Sequence, residues 1–155
     1  MNTNEIHIEI NSLMKKSDPV FLTTIDEEGF PLTRAMLNLR NPDLYPGLEP
    51  FMDGARELYF TTNTSLPKVA QIEHNPHACA YFCSPSEWRG LSIRGGIEVI
   101  SDSAIKKKIW QDGWTLYYPG GIDDPEYTLI RLTPKLIKGY RQLQHYTCLP
   151  DELGR

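Results

Sequence analysis

Two short stretches of the chain carry residue types that can do chemistry together. The first is Leu32-Thr33-Arg34-Ala35-Met36-Leu37-Asn38-Leu39. Side chains alternate faces along a strand, so Ala35, Leu37 and Leu39 share one face and Arg34, Met36 and Asn38 the other. The apolar trio is expected to enter the core. A guanidinium beside a thioether and an amide can line a cleft for an anionic ligand with a flat ring; an ordinary exposed strand face is the plainer alternative. The second stretch is Tyr59-Phe60-Thr61-Thr62-Asn63-Thr64-Ser65-Leu66-Pro67-Lys68. It predicts a strand, a hydroxyl-rich turn and a helix that Ser65 caps and Pro67 enters in its first turn. Free N–H groups and the helix dipole favour a phosphate there. Lys68 adds a full charge, and Thr61, Thr62 and Ser65 add hydroxyls. A well-capped helix with a surface lysine explains the same residues.

A third stretch, from Trp110 through Trp114 to Tyr117-Tyr118-Pro119, is dense in rings. Such rings serve ligand pockets and interfaces, or simply pack a core. The four histidines show no metal-ligand spacing, with His74 and His77 flanking a turn and His145 in a polar tail. No nucleotide-binding or nucleophile motif occurs.

These residues need elements to position them. Ile6, Ile10, Leu13 and Met14 recur at helical spacing, and Asp18-Pro19 ends that helix. Val20 to Ile25 reads as a strand, and Asp26-Glu27-Glu28-Gly29-Phe30-Pro31 as the turn of a hairpin returning over residues 32–39. Residues 40–56 hold three prolines and two glycines and predict an irregular excursion. Strands are expected over 57–63, 77–83, 91–100, 127–133 and 136–141, and helices over 66–73 and 103–110. Gly95-Gly96 suggests a bulge or a close backbone approach. Short strands with few helices predict a mainly β protein, an antiparallel barrel or sandwich, over one domain spanning 1–155.

Composition narrows the function. Net charge is −4 with no basic run beyond Lys106-Lys107-Lys108, which argues against nucleic acid. No apolar stretch reaches the roughly 20 residues that cross a bilayer, and the first residues lack a signal-peptide pattern. Three cysteines without metal spacing read as thiols, so a cytoplasmic location is expected.

In their order, several segments resemble a known family: Val20-Phe21-Leu22-Thr23-Thr24-Ile25, Gly29-Phe30-Pro31, Thr33-Arg34-Ala35-Met36, Tyr59-Phe60-Thr61-Thr62, Lys68-Val69-Ala70-Gln71-Ile72 and Asn75-Pro76. Trp110, Trp114, Tyr118-Pro119-Gly120-Gly121, Asp124-Pro125 and Leu129-Ile130-Arg131-Leu132-Thr133-Pro134 extend the pattern. It is similar to the pyridoxamine 5'-phosphate oxidase-like flavoproteins, and within them to the general stress protein 26 group, over about residues 18 to 140.

The resemblance implies a split β-barrel that binds FMN and forms a homodimer with flavin at the subunit interface. It places Arg34, Ala35 and Met36 along the flavin, Thr61 and Thr62 as a second contact pair, Lys68 at the phosphate, and Trp114 as a contact from the other subunit. Leu66-Pro67 stands where many relatives carry Ser-Arg, which removes one phosphate-binding cation and one hydroxyl. The residue sets with which the authentic oxidase grips pyridoxal phosphate are not found. The implied function is therefore an FMN-dependent oxidoreductase acting on an unknown small substrate; a non-catalytic flavin carrier or stress sensor is the alternative.

Overall fold

The computed structural model describes residues 1–52 and 56–153. Helix α1 (Thr3–Lys16) begins at a capping box, in which Asn2 Oδ1 accepts from the Glu5 N–H and the Glu5 carboxylate accepts from the Asn2 N–H. Ile10, Leu13 and Met14 form its buried stripe. Strands β1 (Val20–Ile25) and β2 (Pro31–Met36) make the expected hairpin. The Asp26 carboxylate closes its turn by accepting from the N–H groups of Glu28 and Phe30. Then come β3 (Leu58–Asn63), α2 (Pro67–His74), β4 (His77–Ser84), β5 (Arg89–Ile100), α3 (Ser103–Ile109), β6 (Tyr127–Arg141) and β7 (Gln144–Cys148).

All pairings are antiparallel, in the order β2-β1-β4-β5-β6-β3, with β7 also on β6. One curled sheet thus encloses the main core, where α1 packs among Leu22, Phe60, Phe82, Leu91 and Ile93. A second cluster joins Leu39, Leu48 and Met52 to Trp114, Tyr118 and Tyr127. The excursion after residue 40 is therefore anchored. Its short 3₁₀ helix Pro46–Phe51 buries Leu48, and Arg40 ties it down by donating to the carbonyls of Met52 and Glu57. Residues 53–55, at the end of that excursion, lie outside the described residues. No helix among the described residues is long and apolar enough to cross a membrane.

Two expectations change. The strands expected over 127–133 and 136–141 are one strand, β6. Pairing runs from Gly95↔Pro134 to Arg94↔Leu136, which leaves Lys135 as an extra, bulged residue. Pro134 is tolerated because a bulge releases a ladder hydrogen bond. Gly95 permits the close approach: a Cβ there would lie 2.0 Å from the Thr133 carbonyl oxygen. The segment with His145 is not a polar tail but β7, which buries Tyr146 and Cys148 against β6.

Charged groups fasten α1 to the sheet. Arg89 Nε donates to Glu9 Oε1 at 2.7 Å, and Arg89 Nη1 to Glu87 Oε2 at 3.0 Å. The exposed Glu87 also accepts from Lys16, and hydrogen bonds from Lys16, Ser84 and Arg89 hold its carboxyl at about 2, below the ordinary 4.5. A depressed carboxyl stabilises the fold above its unfolded value and loses that contribution as pH falls through the folded one. Glu87→Gln is thus expected to lower the urea midpoint at pH 6, with the gap from wild type closing as pH falls from about 4.5 towards about 2. A gap that stays constant with pH would refute this role.

Candidate functional site

Strands β2 and β3 lie at opposite ends of the sheet, and between them is a cavity of about 350 Å³. One wall is Ala35, Met36 and Leu37 at the end of β2; Thr61 and Thr62 of β3 face it. Lys68 closes the polar end, and Tyr117 and Tyr118 add an aromatic side. The volume falls within the roughly 300–1,000 Å³ of small-molecule sites.

Lys68 owes its position to the β3–α2 turn. The Leu66 N–H donates to the Asn63 carbonyl, the helix starts on Pro67, and its first turn swings the lysine back over β3. There Lys68 Nζ donates to Thr62 Oγ1 at 2.7 Å. Burial, and then the nearby Arg34 charge, lower the Lys68 pKa. A bound anion favours the charged form and offsets both effects.

Arg34 stands behind this wall rather than in it. Its Nη1 donates to Thr24 Oγ1 at 2.7 Å and to the Leu22 carbonyl at 3.4 Å, and its Nη2 reaches Gln71 Oε1 at 3.5 Å. It thereby links β1, β2 and α2, and burial lowers its own pKa. The outward face expected of Arg34, Met36 and Asn38 is in fact the inward one, while Ala35 and Leu37 are exposed. Register explains this. Arg34 pairs with Leu22 and Met36 with Val20, and both partners are buried, so their cross-strand neighbours must also face inward. Alternation set the parity; the partner strand decided which parity points in. Leu39 is buried as expected.

Three other expected residues do not meet at the cavity. Asn38 is buried beyond the end of β2, where its amide donates to the carbonyls of Met14 (2.8 Å) and Ser17 and fixes the end of α1. Ser65 does not cap α2; Leu66 holds the N-cap position without a side-chain bond. Instead Ser65 Oγ donates to Glu126 Oε2 at 2.8 Å, an acceptor 61 residues away that local turn rules could not reveal. Trp114 is 3% exposed, with its ring edge-on to Trp110 at 6.0 Å and to Tyr45 at 6.1 Å. It packs the second core, and Tyr117 and Tyr118, three and four residues on, reach this chain's own cavity. Asp18, Pro19 and Asn63 complete the wall together with Leu37, which was expected in the core. Leu37 and Asn63 adjoin expected site residues in the chain, whereas Asp18 and Pro19 carried no sequence signal beyond ending α1.

The arrangement combines the Lys68 ammonium, the Thr61 and Thr62 hydroxyls, the Asn63 amide and the Asp18 carboxylate with an apolar, aromatic remainder. It suits a ligand with an anionic end and a flat body. The model of the pyridoxamine 5'-phosphate oxidase family matches residues 6–141. The chain belongs to that family. A crystal structure from Clostridium acetobutylicum, of a protein related to general stress protein 26 of the pyridoxinephosphate oxidase family, is 34% identical to this family member. It covers 99% of this chain and 100% of its own, with a TM-score of 0.82. Pyridoxine/pyridoxamine 5'-phosphate oxidase of Legionella pneumophila strain Lens is 35% identical over 91 residues. That match takes in 57% of this chain and only 37% of the oxidase. A pyridoxamine 5'-phosphate oxidase-related, FMN binding protein of Nostoc punctiforme shares the fold at 15% identity, a TM-score of 0.56 and 94% coverage of each chain. The mainly β, antiparallel split-barrel fold is thus that of the family.

Proposed function

We propose that the cavity between β2 and β3 binds FMN and that the protein is an FMN-dependent oxidoreductase working on a small substrate as a homodimer. The observation that carries this reading is Lys68, hydrogen-bonded to Thr62 at one end of a cavity along which Ala35, Met36, Leu37, Tyr117 and Tyr118 give apolar and aromatic surface. On this reading Lys68, Thr61 and Thr62 hold the phosphate. Ala35, Met36 and Leu37 lie along the ring, and Tyr117 and Tyr118 limit access of water. Arg34 acts from behind, positioning α2 through Gln71 and adding positive charge beside Lys68. When bound, FMN supplies hydride chemistry at the ring. The FMN binding named for the Nostoc relative supports the cofactor.

Pairing of two chains is proposed from the surface beside the cavity, where Leu116 (81% exposed) and Tyr117 (51%) leave apolar area uncovered. A reducing cytoplasm is proposed as the setting, with Cys79, Cys83 and Cys148 as thiols; all three are free. Oxidation of pyridoxamine phosphate is not proposed, because the residue sets with which the authentic oxidase grips pyridoxal phosphate are not found in this sequence. A second reading, flavin carriage without turnover, draws on Leu66 and Pro67, which leave Lys68 as the one cation on the cavity wall among the described residues.

Titration of the purified protein with FMN, followed by absorbance and fluorescence quenching, is expected to show one flavin per chain. Sedimentation of the loaded protein is expected to show two chains. No uptake at flavin concentrations of about 100 µM, a range well above useful cofactor affinity, refutes the reading. Reduction of the bound flavin by NADH or NADPH, with return of the oxidised spectrum on an added acceptor, separates enzyme from carrier.

A further inference from the structure

A second cavity, of about 540 Å³, lies where β4, β5 and β6 meet the residue that follows β7. It shares no wall residue with the first. Three nitrogen-bearing side chains line it: His77 from the start of β4, Arg94 from β5 and Lys135 from β6. Leu136 and Leu149 give it an apolar wall, and no carboxylate of the described residues lines it.

The β-bulge builds this grouping. In a regular strand Lys135 and Leu136 point to opposite faces. Here pairing passes from Gly95↔Pro134 to Arg94↔Leu136 and leaves Lys135 over, so both neighbours line the cavity, beside Arg94. Bulges re-aim side chains in this way next to sites. The bulge in turn requires Gly95, whose missing side chain admits the Thr133 carbonyl.

The charges are uncompensated. Arg131, Arg89 and Lys16 all have carboxylate partners, whereas neither Arg94 nor Lys135 takes part in an ion pair or side-chain hydrogen bond among the described residues. In a chain of net charge −4, two adjacent cations left without a carboxylate mark a site for an anion. A guanidinium fork matches two oxygens of a phosphate, an ammonium adds a point charge, and together they suit a dianion better than a monoanion. Leu136 and Leu149 offer the non-ionic part of the ligand a place to bury area.

We propose that this cavity binds the phosphate monoester of a small apolar molecule, separately from the cavity between β2 and β3. The test uses wild-type protein saturated with FMN, or the protein as purified if it takes up none. Phenyl phosphate is titrated in by calorimetry at fixed ionic strength, with inorganic phosphate and phenol as separate arms. One saturable site per chain is expected for phenyl phosphate, with weaker binding of inorganic phosphate and none of phenol. Arg94→Gln and Lys135→Gln are each expected to weaken phenyl phosphate about 10-fold, as loss of one charge-assisted hydrogen bond does. Both side chains are exposed, so thermal melts are expected to match wild type. Lys108→Gln, on α3, is expected to change nothing. Absence of saturable binding, an unchanged isotherm in both cavity variants, or equal affinity for phenyl and inorganic phosphate overturns the assignment. Because occupancy of this cavity is read by phenyl phosphate and not by flavin, failure here leaves the FMN reading standing, and the reverse also holds.

Discussion

Lys68→Met is expected to weaken FMN binding by roughly 10- to 100-fold while leaving riboflavin, which lacks the phosphate, bound about as in wild type. Lys68 is the one full positive charge on the cavity wall among the described residues, and it is half-buried, so water screens it poorly. Charge-assisted hydrogen bonds contribute about 1.5–3 kcal/mol, which sets the range. Arg34 does not replace it, because its guanidinium is committed to Thr24, Gln71 and the Leu22 carbonyl. Fluorescence titration with the two flavins in parallel checks the ratio. If both lose affinity equally, the lysine supports the cavity wall instead of the phosphate, and the site assignment fails.

Arg89→Met is expected to cost about 3–5 kcal/mol of folding stability, the loss typical of breaking a buried ion pair on one side. Glu9 is 4% exposed, and Arg89 Nε is its close partner; Arg141 Nη1 stands off at 3.9 Å. Removing Arg89 strands a carboxylate against the core, frees Ser12 and leaves Glu87 with Lys16. The double variant Glu9→Leu/Arg89→Met is expected to recover most of the loss, since no buried charge remains. Lys15→Met, which breaks the exposed pair with Glu49, serves as the contrast at about 0–1 kcal/mol. Urea denaturation of the four proteins decides. A double variant as unstable as Arg89→Met would mean that lost packing, and not an unpaired charge, explains the effect.

Where local rules governed, the chain could be read directly. The Asp26–Pro31 turn, the Pro67 start of α2, the helix from Ile6 to Met14 and the irregularity at Gly95 each rest on residues within a few positions of one another. The errors share one cause, a partner far along the chain. Which face of β2 turns inward was set by Val20 and Leu22 across the ladder. Ser65 was taken from its cap by Glu126. Pro134 reads as a strand end until β5 is seen to pass it with a bulge. At the site, Ala35, Met36, Thr61, Thr62 and Lys68 do line one cavity, because two strand ends and one helix start were legible. Tyr117 and Tyr118 were not legible as the rings of this cavity, since a ring-rich stretch does not reveal which ring a 3₁₀ turn directs towards it.

The gap between β2 and β3 has a consequence for the empty chain. Each strand is hydrogen-bonded on one side alone among the described residues, β2 to β1 and β3 to β6. Unpaired strand edges are templates for adding another chain's strand, the first step of many aggregates. A molecule seated between Ala35 and Thr61 covers part of both edges at once. The cofactor proposed for this cavity would then double as a guard against strand addition at these two edges, a contact separate from the pairing of two chains proposed beside the cavity.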